Sequence, residues 1–212
     1  SDPPMAEGVA DFFAANITDD PGVGRGFLYT DAAVRELDPI GTERVYPADV
    51  VPSSHQTGLI IGGALWDLRK ALIAQLGAIQ GKAVAEQLFV GVLLRSTDIP
   101  ASYVAALTAD DDDGNLGNGT PHGCTITQAF GRHGLAGPGF QTTTLDNPVV
   151  SGRDVSVAVN TPSGTACPPP QVTAMTLSWK IGATGAVSAI AMSPQGATWS
   201  GAIPPQPDGT VV

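Results

Sequence analysis

The sequence predicts an α+β protein in two parts, a mainly helical bundle over residues 1–137 and a small antiparallel β-sandwich of immunoglobulin or fibronectin type over 138–212. Three observations predict it. Apolar residues recur at helical spacing in five segments before Pro138. Beyond Pro138 the chain turns alternating and β-branched, as in Val155-Ser156-Val157-Ala158-Val159. The longest apolar runs, Gly58 to Trp66 and Leu88 to Leu94, are too short to span a bilayer and suit core helices.

The first helix is expected from Met5 to Ile17, with Val9, Phe12, Phe13 and Ile17 on a broad apolar face, Pro3-Pro4 before it and Asp19-Asp20-Pro21-Gly22 ending it. From there to Ser54 the chain is rich in Gly, Pro and Asp without a sustained period, and so long a connection is usually functional. A second helix is expected from Thr57 to Leu76 on the spacing of Ile60, Ala64, Leu68 and Leu72. Its Gly58, Gly62 and Gly63 suggest that another backbone packs closely, and Gly77 closes it. Further helices follow at Ala78–Leu94 and, after Asp98 as cap, at Pro100–Ala109. A short fifth helix is expected with Thr120 as N-cap, Pro121 as first residue and His133 with Gly134 at its end. Strands are expected at Val155–Val159, Val172–Trp179, Val187–Met192 and Thr198–Ile203, with Trp179 and Trp199 as core aromatics. The final Gly209-Thr210-Val211-Val212 reads as a strand beginning, so the β domain is expected to be incomplete.

The chain has 212 residues, 42% of them apolar, enough to bury a core. Acids outnumber bases 20 to 10, and a net charge of -10 argues against nucleic acid or an anionic membrane as partner. The sparse Lys and Arg beside 26 Gly and 18 Pro read as a secreted, loop-rich protein. Opening on Ser-Asp-Pro-Pro, without a signal peptide or initiator Met, it reads as an excised or processed piece. Cys124 and Cys167 could pair in an oxidising compartment, but two cysteines so far apart give no framework, and Cys124 is expected as a buried small apolar residue.

Glu7 and Asp11 stand four residues apart in a small, apolar segment, on one face of the first helix with nothing basic in the next turn to answer them. Their partner should come from outside the segment, as a metal, a histidine or an arginine. The alternative is an amphipathic helix with Glu7 near its N-terminus and Asp11 exposed. Glu7-Gly8-Val9-Ala10-Asp11, followed by Ser54-His55-Gln56-Thr57-Gly58 and Ala64-Leu65-Trp66-Asp67-Leu68-Arg69, resembles the C-terminal helical half of thermolysin-like and fungalysin-like zinc metallopeptidases, over residues 5 to 135. The resemblance implies that Glu7 is a zinc ligand, that Asp11 orients a zinc-binding His, and that His55 stabilises the oxyanion of the tetrahedral intermediate. It further implies a bacterial, extracellular endopeptidase acting on polypeptide substrates. Two departures stand out. The His-Glu-x-x-His motif is absent, the only histidines being His55, His122 and His133, so the other ligands are expected in a missing N-terminal half and the isolated chain is expected to be inactive. The acid that the family places five residues before its oxyanion His is replaced by Val50, with Asp49 beside it as substitute. A non-catalytic scaffold or binding module with peptidase-like helices is the alternative.

The run Asp110, Asp111, Asp112 and Asp113 in a Gly-rich loop could ligate Ca2+, although the EF-hand template fails in either glycine register and a solvated acidic turn is the plainer account. His122 and His133 are too far apart for one face and read as structural. Trp66 is expected in the core, with Asp67 and Arg69 available for an ion pair with the long loop. The glycosylation sequons at Asn16 and Asn118 are of a kind common by chance.

Overall fold

Glycine governs how the first two helices meet. The structure, a computed structural model, describes residues 2–137, 143–161, 167 and 172–207. The chain divides into two compact units, Ser1–Phe140 and Gln141–Val212. Helices occupy the first and antiparallel sheets the second, a mixed α+β organisation. Among the described residues no helix is long and apolar enough to cross a membrane.

In the first unit α1 spans Pro3–Thr18, with proline in its first turn and Asp19 in the left-handed region (φ 56°) at its end. Helix α2 spans Ser54–Leu76, three residues earlier than the periodicity suggests, because the Ser53 side chain accepts a hydrogen bond from the Gln56 N–H and caps it. Gly77, at φ 83°, turns the chain directly into α3, Ala78–Arg95. Helix α4 spans Ser102–Asp110, starting later than expected because Asp98 accepts from the Ala101 N–H and holds a turn before it. Helix α5 spans Gly123–Arg132. Thr120 and Pro121 lie outside it: the Thr120 hydroxyl donates to Asp110, and His122 takes the cap position. Phe12, Ile60, Ile61, Leu65, Leu72, Leu88, Ile126 and Phe130 form the shared core.

Helices α1 and α2 cross backbone against backbone at Gly8 and Gly58. A Cβ on Gly8 would stand 2.2 Å from the Gly58 carbonyl oxygen, and one on Gly58 would stand 2.8 Å from the Gly8 nitrogen. The expected close backbone is therefore α1. Gly62 also faces the Gly8 carbonyl, whereas Gly63 makes room for the His133 ring of the α5 end. Ion pairs fasten this arrangement. Arg69, buried and stacked 4.7 Å from the Trp66 ring, reaches Asp19 and Asn16 across the α1 terminus. Asp67 does not pair with the long loop's basic residues: its partners are Lys70 at 2.9 Å, and Arg132 and His133 at 3.5 Å. The connection between α1 and α2 carries only a two-residue antiparallel pair, β1 (Gly22–Val23) with β2 (Arg35–Glu36).

In the second unit β5 (Asp154–Asn160) lies at the centre of a five-stranded sheet. It pairs with β3 (Thr144–Leu145) and β4 (Val149–Ser151) on one side and with β9 (Thr198–Ala202) on the other, and β9 pairs with β8 (Ser193–Gln195). Strands β6 (Thr176–Trp179) and β7 (Ser188–Ala191) form a separate pair. Val157, Val159, Met192 and Trp199 make a small core against which Val172, Met175 and Leu177 pack. Trp199 is thus in this core, while Trp179 is half-buried. Strands β3, β4 and β8 are additional to the expected four, and the strand expected at residues 209–212 lies outside the described residues. Both cysteines are disulfide-bonded, contrary to the expectation for Cys124.

Gly8→Ala should force the two helices apart, at a cost of about 1–3 kcal/mol by overpacking, read as a lower midpoint in urea denaturation. Asp67 supplies a pH test. Burial pushes its carboxyl up, but His133 and Lys70 more than reverse this and hold it at about 2, against an ordinary 3.8. Because the folded-state value is depressed, its stabilisation is present above pH 3.8 and is lost as pH falls through about 2. That contribution is about 2 kcal/mol, so Asp67→Asn should flatten this part of the stability profile.

Candidate functional site

The α1–α2 crossing brings the acidic pair of α1 to the start of α2. Glu7 precedes Gly8 by one residue and His55 precedes Gly58 by three, so the glycine contact sets the two side chains side by side. His55 Nδ1 lies 2.9 Å from Glu7 Oε2. Both are open to solvent, with 52% of the His55 side chain and 39% of the Glu7 side chain exposed.

One turn further along α1, Asp11 is buried. Its two oxygens accept from Nε and Nη2 of Arg35, both at 2.6 Å, in a bidentate fork. The hydrogen bonds to Asp11 raise the Arg35 pKa above its ordinary value, and the Glu7 charge adds to the effect. The partners of Glu7 and Asp11 thus come from outside the segment, a histidine and an arginine, and both belong to this chain. In this arrangement Asp11 holds a guanidinium rather than an imidazole.

Arg35 also lines an open cleft of about 370 Å³, with Glu36, Glu43, Arg44, Asp49 and Gln56. Nε and Nη2 face Asp11, which leaves the two N–H groups of Nη1 and the second N–H of Nη2 as further donors. Asp49 does not orient His55: its carboxylate accepts from the Val45 N–H at 2.8 Å and stands 3.6 Å from Arg44. Arg35 and Arg44 were not candidates from the sequence. The available signal was that three of the ten basic residues, Arg25, Arg35 and Arg44, fall in the connection between the first two helices.

The acidic loop divides into two parts. Asp110 is buried and saturated by protein donors: the His122 backbone N–H at 2.5 Å, the Thr120 hydroxyl at 2.7 Å and His122 Nδ1 at 2.7 Å. It acts as a brace for the turn into α5, and this is also the place of His122. Asp111, Asp112 and Asp113 each offer an oxygen within 4.8 Å of one another. Hydrogen bonds from Asn118 and the Asn115 backbone N–H hold the Asp113 carboxyl below its usual range. His133, fully buried at the end of α5, donates from Nδ1 to the Arg44 carbonyl at 2.9 Å.

For zinc, this surface provides an incomplete donor set. Glu7 offers one anionic oxygen and His55 one nitrogen, whereas both oxygens of Asp11 are engaged by Arg35. An open catalytic zinc site takes three protein ligands, so further donors would have to come from a second segment. Comparison of the chain with protein-family models, with curated proteins and with solved structures gives no match.

The two acids should separate cleanly in a stability experiment. Asp11→Ala leaves Arg35 without its counter-charge and should cost about 3 kcal/mol or more in denaturant unfolding. Glu7→Gln alters a half-exposed pair and should cost about 1 kcal/mol or less.

Proposed function

We propose that the α1–α2 surface is the part of a zinc endopeptidase site that supplies one metal ligand and the oxyanion donor. The observation that carries this reading is the Glu7–His55 contact of 2.9 Å at an exposed helix crossing. A solvent-exposed pair of this kind adds little to stability, so the fold does not need an acid and a histidine at the two places the helix crossing brings together. Glu7 would hold the metal, with two further ligands supplied by a segment bearing a His-Glu-x-x-His motif. Zinc, when bound, activates a water for attack on a peptide carbonyl.

The remaining residues act by position and charge. His55, held by Glu7 through Nδ1, would present its other nitrogen toward the oxygen that becomes negative during attack. Asp11 locks Arg35, and the free Nη1 of that arginine would take a carbonyl of the bound polypeptide in the adjoining cleft. For Asp11 to orient a zinc-binding His as well, that imidazole would share one of its oxygens with Arg35. We read the second unit as an immunoglobulin-like accessory domain, since its five-stranded sheet and the β6–β7 pair contribute side chains to one apolar core. The disulfide-bonded cysteines are consistent with an extracellular protein, and the reading is of a secreted bacterial enzyme.

The test uses the protein carrying the two additional ligands. Glu7→Gln should abolish retention of one zinc per chain, and His55→Ala should lower kcat by about 10²–10³-fold with zinc retained. The 212-residue chain alone should show little or no caseinolytic activity. Tight stoichiometric zinc in this chain alone with His55 as ligand would refute the roles assigned, and unchanged hydrolysis in His55→Ala would favour a non-catalytic module.

A further inference from the structure

The chain between β1 and β2 turns round in a tip that presents three large apolar side chains to water. Phe27 is 75% exposed, Leu28 63% and Tyr29 101%. Three in a row at the end of one loop differ from the single apolar residues scattered over any soluble surface. The tip is also ordered by its own backbone. The Phe27 N–H donates to the Gly24 carbonyl and the Tyr29 N–H to that of Gly26, which makes two overlapping turns, and the Gly26 N–H donates to the Thr30 carbonyl.

A side-chain clamp fixes the base of the tip. Arg25 donates from Nε and Nη2 to the two Asp20 oxygens, at 2.7 and 3.1 Å, and from Nη1 to the Asp31 carbonyl at 2.9 Å. These bonds from Arg25 hold the Asp20 carboxyl below its usual range. Val23, at the foot of the tip, packs against the helical core, and its carbonyl accepts from the Val34 N–H. Tyr29 is a separate sign that the tip is aimed outward. It sits in the left-handed region at φ 57°, which is costly for a bulky residue, and its side chain meets only solvent, so no packing offsets that cost.

We propose that Phe27, Leu28 and Tyr29 dock the protein onto a neutral, zwitterionic phospholipid surface. Shape and charge both select this partner. Side chains exposed to this degree stand on a convex tip, around which headgroups and acyl chains can flow, whereas a rigid protein partner would need a pocket cut to match. Phe27 and Leu28 suit the edge of the acyl region, and Tyr29, apolar in its ring and polar at its hydroxyl, suits the headgroup level. Arg25 is neutralised by Asp20, so no free positive charge stands at the tip. With a net charge of -10 the chain is repelled by an anionic membrane and by a second copy of itself, and a neutral bilayer is free of that penalty. Three side chains give reversible attachment rather than permanent insertion. Arg35 of the cleft follows Tyr29 by six positions, at most about 20 Å of chain, so docking holds the cleft close to the lipid.

The experiment co-sediments the 212-residue chain with sucrose-loaded phosphatidylcholine vesicles, with circular dichroism as the check on folding; zinc takes no part in it. The bound fraction should rise with lipid. Phe27→Ser and Leu28→Ser should each weaken partitioning by about tenfold, and the double variant should stay in the supernatant with its spectrum unchanged. Leu94→Ser, which alters an exposed apolar side chain on α3, should partition as the parent does. Mixing phosphatidylglycerol into the vesicles should weaken binding, most at low salt. The proposal is overturned if the parent stays off phosphatidylcholine vesicles, if the double variant binds them as well as the parent, or if phosphatidylglycerol strengthens binding. Self-association that the double variant abolishes, seen by sedimentation equilibrium in place of vesicle binding, would overturn it in favour of a second copy.

Discussion

The contact between Gly8 and Gly58 is the constraint on which the first unit depends. With no side chain interposed, the two helices approach until backbone meets backbone. Any larger residue at either position would enter the facing carbonyl or amide. The close approach has a consequence for chemistry as well as for packing. Residues flanking the two glycines become neighbours at fixed distance, so Glu7 and His55 meet without either being held by a network of its own.

Low charge content shapes how the rest of the unit is secured. The chain carries only ten Lys and Arg, and five of them, Arg35, Arg69, Lys70, Lys82 and Arg132, answer acids that lie deep in the structure or at a helix end. Arg35 forks onto Asp11, Arg69 crosses from α2 to Asp19 at the end of α1, and Lys70 bridges Asp38 and Asp67. Each pair joins segments distant in sequence or a helix to the long connection. Removing Asp11 or Asp19 would leave the half-buried Arg35 or the buried Arg69 without its counter-charge, and such losses cost more than the intact pair contributes. The connection between α1 and α2 is thereby held by charges and a two-residue ladder, with few apolar side chains of its own in the core.

Much of the helical order was legible because it is written locally. The periodicity of Ile60, Ala64, Leu68 and Leu72 marks α2, Gly77 marks its end, and the glycines at 58 and 62 signal a close neighbour. The shared face of Glu7 and Asp11 follows from the same period. Their partners did not follow, since Arg35 arrives through a connection without regular pattern and its pairing with Asp11 spans 24 residues. Thr120-Pro121 reads locally as a helix start, yet Asp110 captures the threonine hydroxyl and delays the helix. Strands β3, β4 and β8 are two or three residues long, too short for alternation to register.

Helix α2 carries both charged centres, and its geometry keeps them apart. His55 sits in the first turn and Asp67 twelve positions later, about 18 Å along the axis at 1.5 Å per residue. At that separation surface charges are largely screened at physiological ionic strength, where the Debye length is about 8 Å. Electrostatic change at Asp67 would reach His55 mainly through the position of α2 itself. That position is set by the backbone contact with α1 at one end and by the buried His133 against Gly63 further along. The helix therefore acts as a rigid spacer between an exposed pair that packing does not require and a buried cluster that the joint with α5 does.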